Sequence, residues 1–246
     1  MSESSAASTT AAAPPQQSFW EDLIDIYFQP ANVFRRRQNS SVWPPMLFVA
    51  IAVGLIFFIT FNTLQPIFDA EFARGSAKAL ANNPQMTPEM LEKMRGVSTS
   101  IGRYAIGVIM LLTMVVIGSV TWLVGKLFGS SQTYHAALVV AAWAYMPRVI
   151  GAVLAGVQGL IMDPAKLTSQ LAISLSPARF YDVDATNPLL YQALGRLDLI
   201  TIWVTVLIGI GVYITGKVSK GRATGVAVLM WVLGALPALR QAYVSM

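Results

Sequence analysis

Five apolar runs govern what this chain can become: Pro45–Phe68, Tyr104–Phe128, Tyr134–Ile161, Leu199–Gly216 and Ala223–Leu239. Each is close to the roughly 20 residues that a helix needs to cross a hydrocarbon layer about 30 Å thick. Inside such a layer every backbone N–H and C=O must be satisfied within the chain, which dictates helices. The composition agrees, with 55% hydrophobic and 12% charged residues segregated into long runs and polar loops. The expected fold class is all-α, a polytopic membrane helix bundle of about five transmembrane helices with short amphipathic interfacial helices. Lys217-Val-Ser-Lys-Gly-Arg222 joins the last two runs so tightly that they must form an antiparallel hairpin.

The flanks set the domain organisation. Residues 1–17 are almost entirely Ser, Thr, Ala, Pro and Gln, a composition that predicts a disordered tail. Residues 18–45 are expected to form a cytoplasmic amphipathic helix and a basic juxtamembrane segment, 46–239 the transmembrane domain, and 240–246 a short tail. Ser18-Phe-Trp-Glu21 has the spacing of a capping box, so a helix starts there. Trp20, Leu23, Ile24 and Tyr27 share one face, and Glu21, Asp22 and Asp25 another; such a helix either packs on the bundle or lies in the headgroup plane. Arg35, Arg36 and Arg37 precede the first run, where basic residues resist translocation and hold the amino terminus in the cytoplasm. The carboxyl terminus would then lie outside.

The loops on the outer side carry helix-start signals. Thr87-Pro88-Glu89 predicts a cap and a first helical position, and Asp69–Arg103 reads as two short helices at the interface. Asp163-Pro164 and Asn187-Pro188 predict two more between Met162 and Arg196. Met86, Met90 and Met94 recur on one helical face; thioethers there could bind copper(I), but with no His or Cys beside them they read as packing residues. Asp182 and Asp184 read as a solvated turn. No metal site is expected.

Catalysis finds few candidates. There is no cysteine, the one histidine, His135, sits at a membrane border, and no phosphate loop, HExxH or GxSxG motif is present. No catalytic residue and no cofactor are expected. The net charge of +5 is spread along membrane borders, which suits orientation and anionic lipid better than nucleic acid. The expected partners are the lipid bilayer, a protein on the cytoplasmic side and a second copy of the chain.

Polar residues inside the runs are the candidates for function. Arg148 lies near the middle of the third run, where a charge costs roughly 2.5–3.5 kcal/mol on insertion scales and must face an interior, a partner or a water-filled cavity. Pro147 precedes it and tends to break the helix there. With Arg148 we group Tyr145, Asn62 and Gln65, and Asp198, the one acid adjoining the later runs. These six define a binding crevice or, through an Arg148–Asp198 ion pair, a structural lock; Trp20 and Arg35–Arg37 define a cytoplasmic docking or headgroup-binding surface. Gly151 and Ala155, then Ala152 and Gly156, have the small-xxx-small spacing that lets helices approach closely, in a bundle or a dimer alike, and Gly209 and Gly211 could act similarly.

Three local patterns, taken in order, resemble the Ypt-interacting-protein (Yip) domain family of five-span integral membrane proteins. They are Phe28-Gln-Pro30-Ala-Asn-Val-Phe34-Arg before the first run, Trp143-Ala-Tyr145-Met-Pro147 in the third, and Leu197-Asp198-Leu-Ile-Thr-Ile-Trp203 opening the fourth. The likeness covers about Phe19–Leu239. It implies a non-enzymatic membrane-organising or trafficking-related adaptor; eukaryotic members are associated with Rab-type GTPases at Golgi and ER membranes. The short tail, the Ala-rich composition and the absence of cysteine point instead to a bacterial member in the cell inner membrane. The alternative function is a transporter or lipid-moving protein that uses a polar crevice around Arg148. A sealed Arg148–Asp198 pair would favour the adaptor; an open pocket would favour the alternative.

Overall fold

The computed structural model describes residues 18–83 and 85–244. The tail expected over residues 1–17 lies outside them. All regular structure described is helical: α1 (Phe19–Phe28), α2 (Pro30–Arg37), α3 (Trp43–Asn82), α4 (Pro88–Leu127), α5 (Tyr134–Ala144), α6 (Pro147–Ile161), α7 (Pro188–Arg196), α8 (Leu199–Gly216), α9 (Lys220–Leu233) and α10 (Leu236–Val244), with three 3-10 turns between α6 and α7. By length and composition five stretches can cross a membrane: Trp43–Ala81, Pro88–Leu127, Tyr134–Ile161, Leu199–Gly216 and Lys220–Val244.

The third and fifth spans are each broken in two. Pro147 lacks the N–H that would continue the ladder, so α5 ends at Ala144, and the Arg148 amide turns to Tyr145 O at 2.9 Å. Pro237 has the same consequence for the fifth span, where Gly234 and Ala235 separate α9 from α10. This helix continues to Val244, through most of the segment expected to be a short tail.

The segment between the first two apolar runs corrects an expectation. Instead of two interfacial helices, α3 and α4 are each 40 residues long and run without interruption to a short turn after Asn82. Thr87 does cap α4, accepting from the Met90 amide at 3.3 Å, but the helix it opens does not stop within the loop. Ala, Met, Leu, Glu and Lys are good helix formers, and Arg95 holds Asp69 of α3 at 2.6 Å. At 1.5 Å per residue each helix is about 60 Å long, twice the hydrocarbon thickness.

The segment between the third and fourth spans folds as a cap. Asp163, Ser169 and Asn187 each accept from a backbone amide two or three residues on, but only Asn187-Pro188 opens an α-helix; Asp163-Pro164 opens a single 3-10 turn. Asp182 accepts from the amides of Asp184 and Ala185, which makes the acidic pair a turn device. Leu167 and Ile173 of this cap pack on Leu64 and Ile67 of α3.

Small residues seat the helices. A Cβ on Gly156 would meet Thr60 Cγ2 at 2.6 Å, one on Gly159 would meet Leu64 Cδ2 at 2.6 Å, and one on Gly151 would meet Ile200 Cγ1 at 3.3 Å. The third span's glycines are therefore used inside the bundle, against α3 and α8. Gly209 faces Ala227 across the α8–α9 hairpin, which Lys217 closes in the left-handed region at φ 51°.

α1 and α2 form a small antiparallel hairpin folded onto the bundle. The Ser18–Glu21 capping box is formed in both directions. Ile26, Val33 and Phe34 are fully buried, and Phe19 packs against Phe48 and Trp143. Asp22 is fully buried as well, paired with both Arg36 and Arg37, while Arg36 also reaches Asp25 at 2.7 Å. Hence Asp22 does not belong to an outward acidic face. Its neighbours made it a core ion pair instead.

Candidate functional site

Asp198 ends the cap and starts α8. Its carboxylate accepts from the Thr201 amide at 2.8 Å, the Thr201 hydroxyl at 3.0 Å and the Leu175 amide at 3.1 Å. Oδ2 thus accepts twice and Oδ1 once, from donors other than Arg148. Arg148, from the first turn of α6, donates from Nη2 to Thr201 Oγ1 at 3.2 Å, and among the described residues no ion pair joins it to Asp198. The expected Arg148–Asp198 lock is thus corrected to a relay, in which one hydroxyl accepts from the guanidinium and donates to the carboxylate.

The same three side chains form the polar end of a cavity of about 440 Å³. Its walls run along α3 from Val53 to Phe68, about 22 Å at 1.5 Å per residue, and are mostly apolar. α6 contributes Gly151, Ala152 and Ala155, and the cap contributes Gln170, Ile173 and Ser174. Small residues on α6 make the space: Gly151, Ala152 and Ala155 add little bulk to its wall, Gly151 lying against Ile200 of α8. The break at Pro147 matters here, because it begins a new helix whose first turn carries Arg148 beside the start of α8.

A second arginine lies close by. Arg196, at the end of α7, donates from Nε and Nη2 to Trp231 O at 3.0 and 2.7 Å. That carbonyl is available because the fifth span breaks just after it, and the Ala235 amide bonds Val232 O instead. Burial and the nearby charge of Arg148 push the Arg196 guanidinium below its usual range. The field at the polar end is therefore positive, with two guanidinium groups near a single carboxylate.

Tyr145 is buried at the break, and the Arg148 guanidinium lies 5.9 Å from its ring centroid. Pro147 holds the first position of α6. Asn62 and Gln65, by contrast, are exposed and do not join the crevice. The reason is geometric: the α3 positions that line the cavity, among them Val53, Phe57, Thr60, Leu64 and Ile67, recur on one helical face, and Asn62 and Gln65 fall on the other. Trp20 is 68% exposed and Arg35 is exposed, whereas Arg36 and Arg37 are engaged by Asp22.

Thr201 and Arg196 belong to the site by geometry alone, and sequence reasoning misses both. Thr201 stands three residues after the helix-capping Asp198, a spacing that predicts contact with the cap but not with Arg148. Nothing in the sequence pairs Arg196 with the Trp231 carbonyl 35 residues away.

The family model described as the Yip1 domain matches residues 24–239. A Bacillus subtilis (strain 168) protein described as membrane protein YknW is 24% identical over 201 residues, covering 80% of each chain. No solved structure matches.

Proposed function

The chain belongs to the Yip1 domain family of membrane proteins, and from that premise we propose that it is a non-enzymatic binder of an anionic amphiphile, held in the cavity beneath Arg148. One observation carries this reading: a guanidinium whose hydrogen-bond acceptor is a hydroxyl rather than a carboxylate lines a long, mostly apolar cavity. Ligand pockets typically measure about 300–1,000 Å³ and combine apolar walls with a few placed polar groups. An acyl chain suits the walls formed by Phe57, Leu64 and Ile67, and a phosphate or carboxylate suits Arg148, whose planar fork matches such groups. Such binding would serve lipid handling or transport.

The test is binding of a fluorescent fatty acid and a fluorescent lysophospholipid to the full chain in vesicles. Arg148→Ala should weaken both. Binding equal to that of the unaltered chain would overturn the reading. Flux across vesicles no faster than in empty ones would remove transport while leaving binding.

A second reading, a membrane-organising adaptor in the bacterial inner membrane with a cytoplasmic amino terminus, draws on α1. Trp20, Ile24 and Phe28 are 68%, 63% and 78% exposed along one side of it, with Arg35 exposed nearby. Crosslinking to a cytoplasmic protein that disappears on deleting 18–37 supports this reading. Retention of the crosslink counts against it.

A further inference from the structure

We infer that the projecting half of α4 is a dimer seam, at which the chain meets a second copy of itself in parallel. Met90, Met94, Val97, Ile101, Tyr104 and Val108 are separated by alternating steps of four and three residues, the a/d spacing of a coiled coil. Each is more than half exposed. Apart from Tyr104, whose ring also meets Phe58 of α3 at 5.7 Å, the face is turned away from the one α4 uses against α3, where Leu91 is buried and Arg95 binds Asp69.

The setting makes this exposure unusual. Every charged residue of α3 lies at Asp69 or beyond, and every charged residue of α4 except Lys126 lies at or before Arg103. The final 14 or so residues of α3 and first 16 or so of α4 therefore extend about 20–25 Å past the apolar segments, at 1.5 Å per residue. Apolar exposure within the bilayer is ordinary. From Met90 to Ile101 the surroundings are water, and there a continuous apolar stripe marks an interaction surface.

A second copy fits the stripe for three reasons. The bilayer gives all copies one orientation, so two α4 helices meet side by side and parallel, as this spacing requires. The stripe passes from water into the membrane on one unchanged face, through Tyr104 and Val108, so its partner must do the same; a soluble partner would stop at the headgroups. Finally, these apolar side chains, each more than half exposed on one face, supply the row of knobs that a parallel two-stranded seam requires. Ser98 and Ser100 flank the seam and leave room for close approach. The contact is isologous, and a two-fold axis along the membrane normal closes it.

The absence of native cysteine makes the test direct. Single variants Val97→Cys and Ile101→Cys of the full chain, reconstituted in phosphatidylcholine–phosphatidylglycerol vesicles, should form covalent dimers under mild oxidation. Glu92→Cys and Thr99→Cys, exposed on another side of α4, should not. Equal yields at all four positions, or none, would overturn the seam. Single-molecule photobleaching of the Val97→Glu/Ile101→Glu variant should show loss of two-step traces with helix content by circular dichroism unchanged; a persistent dimer would overturn it too. Crosslinking in cell membranes to a different protein, with none between copies, would refute the assignment of a second copy.

Discussion

Arg148 and Asp198 are joined through the hydroxyl of Thr201, which accepts from Arg148 Nη2 at 3.2 Å and donates to Asp198 at 3.0 Å. A direct pair would have set the carboxylate itself as the acceptor for the guanidinium. The relay instead satisfies the carboxylate while leaving guanidinium donors for something else. The hydroxyl's orientation is what separates a lock from a binding site in this fold.

Thr201→Val should expose how much rests on that hydroxyl. It removes one acceptor from Arg148 and one donor from Asp198 without changing shape. Leaving a part-buried charged group short of a partner costs about 1–3 kcal/mol, so the detergent-solubilised protein should melt several degrees lower. Thr201→Ser keeps the hydroxyl and should melt close to the unaltered chain. Equal melting of the valine variant would show that the relay is not stabilising.

Asp22 and Asp25 offer a matched comparison on one helix. The Asp22 side chain is fully buried between Arg36 and Arg37, whereas that of Asp25 is 23% exposed and shares Arg36 only. Breaking a buried pair from one side typically costs about 3–5 kcal/mol; an exposed pair is worth roughly 0–1. Asp22→Ala should release the α1–α2 hairpin and open the Arg35–Arg37 bonds to trypsin. Asp25→Ala should leave cleavage nearly unchanged. Similar cleavage of both would refute the ranking.

Much of this architecture was legible from sequence. The five spans follow from hydrocarbon thickness alone, and Pro147 announces its own break. The Ser18–Glu21 capping box and the Asn–Pro and Thr–Pro starts were legible as starts, because a cap is a local hydrogen bond. Where those helices end was not: α4 runs on past Arg95 to Leu127 alongside α3, whose Asp69, 26 residues earlier, meets Arg95. The burial of Asp22 likewise depends on Arg36 and Arg37 folding back across a turn. At the candidate site, Arg148, Tyr145, Pro147 and Asp198 were visible as polar or helix-breaking residues in apolar runs. Thr201 and Arg196 act through long-range geometry, and only packing brings them to Arg148.

Glycine substitutions should divide sharply by position. A Cβ on Gly156 would clash with Thr60, while one on Gly102 would have nothing within 4 Å. Gly156→Ala therefore overpacks the α3–α6 contact, at a cost of about 1–3 kcal/mol. Gly102→Ala meets no obstacle and gains the helix propensity of alanine, about 0.5–1 kcal/mol. Melting temperatures moving in opposite directions would bear this out; a stabilised Gly156→Ala would mean that α6 sits farther from α3.

Tyr27 should give the protein an alkaline limit. Burial against the bundle, where its ring meets Trp203, pushes its phenol up to about 12 from the usual 10.0. A folded-state value above the unfolded one favours the neutral phenol, so this stabilisation is fully present below pH 10 and is lost as pH rises through about 12. Melting scans from pH 8 to about pH 12 should fall more steeply for the unaltered chain than for Tyr27→Phe. Parallel curves would assign the alkaline transition to another group.

Filling the cavity should separate the roles of its walls from those of its charge. Ala155 and Ala152 line it from α6 and leave the Arg148–Thr201–Asp198 relay untouched. Ala155→Phe occupies space that an acyl chain would need, so a fluorescent fatty acid should bind more weakly while a short-chain carboxylate, which needs only the polar end, should be less affected. Arg148→Ala should show the converse, losing the short carboxylate first. If Ala155→Phe leaves long-chain binding intact, the acyl chain lies on the outer surface of the bundle and the cavity is a packing void.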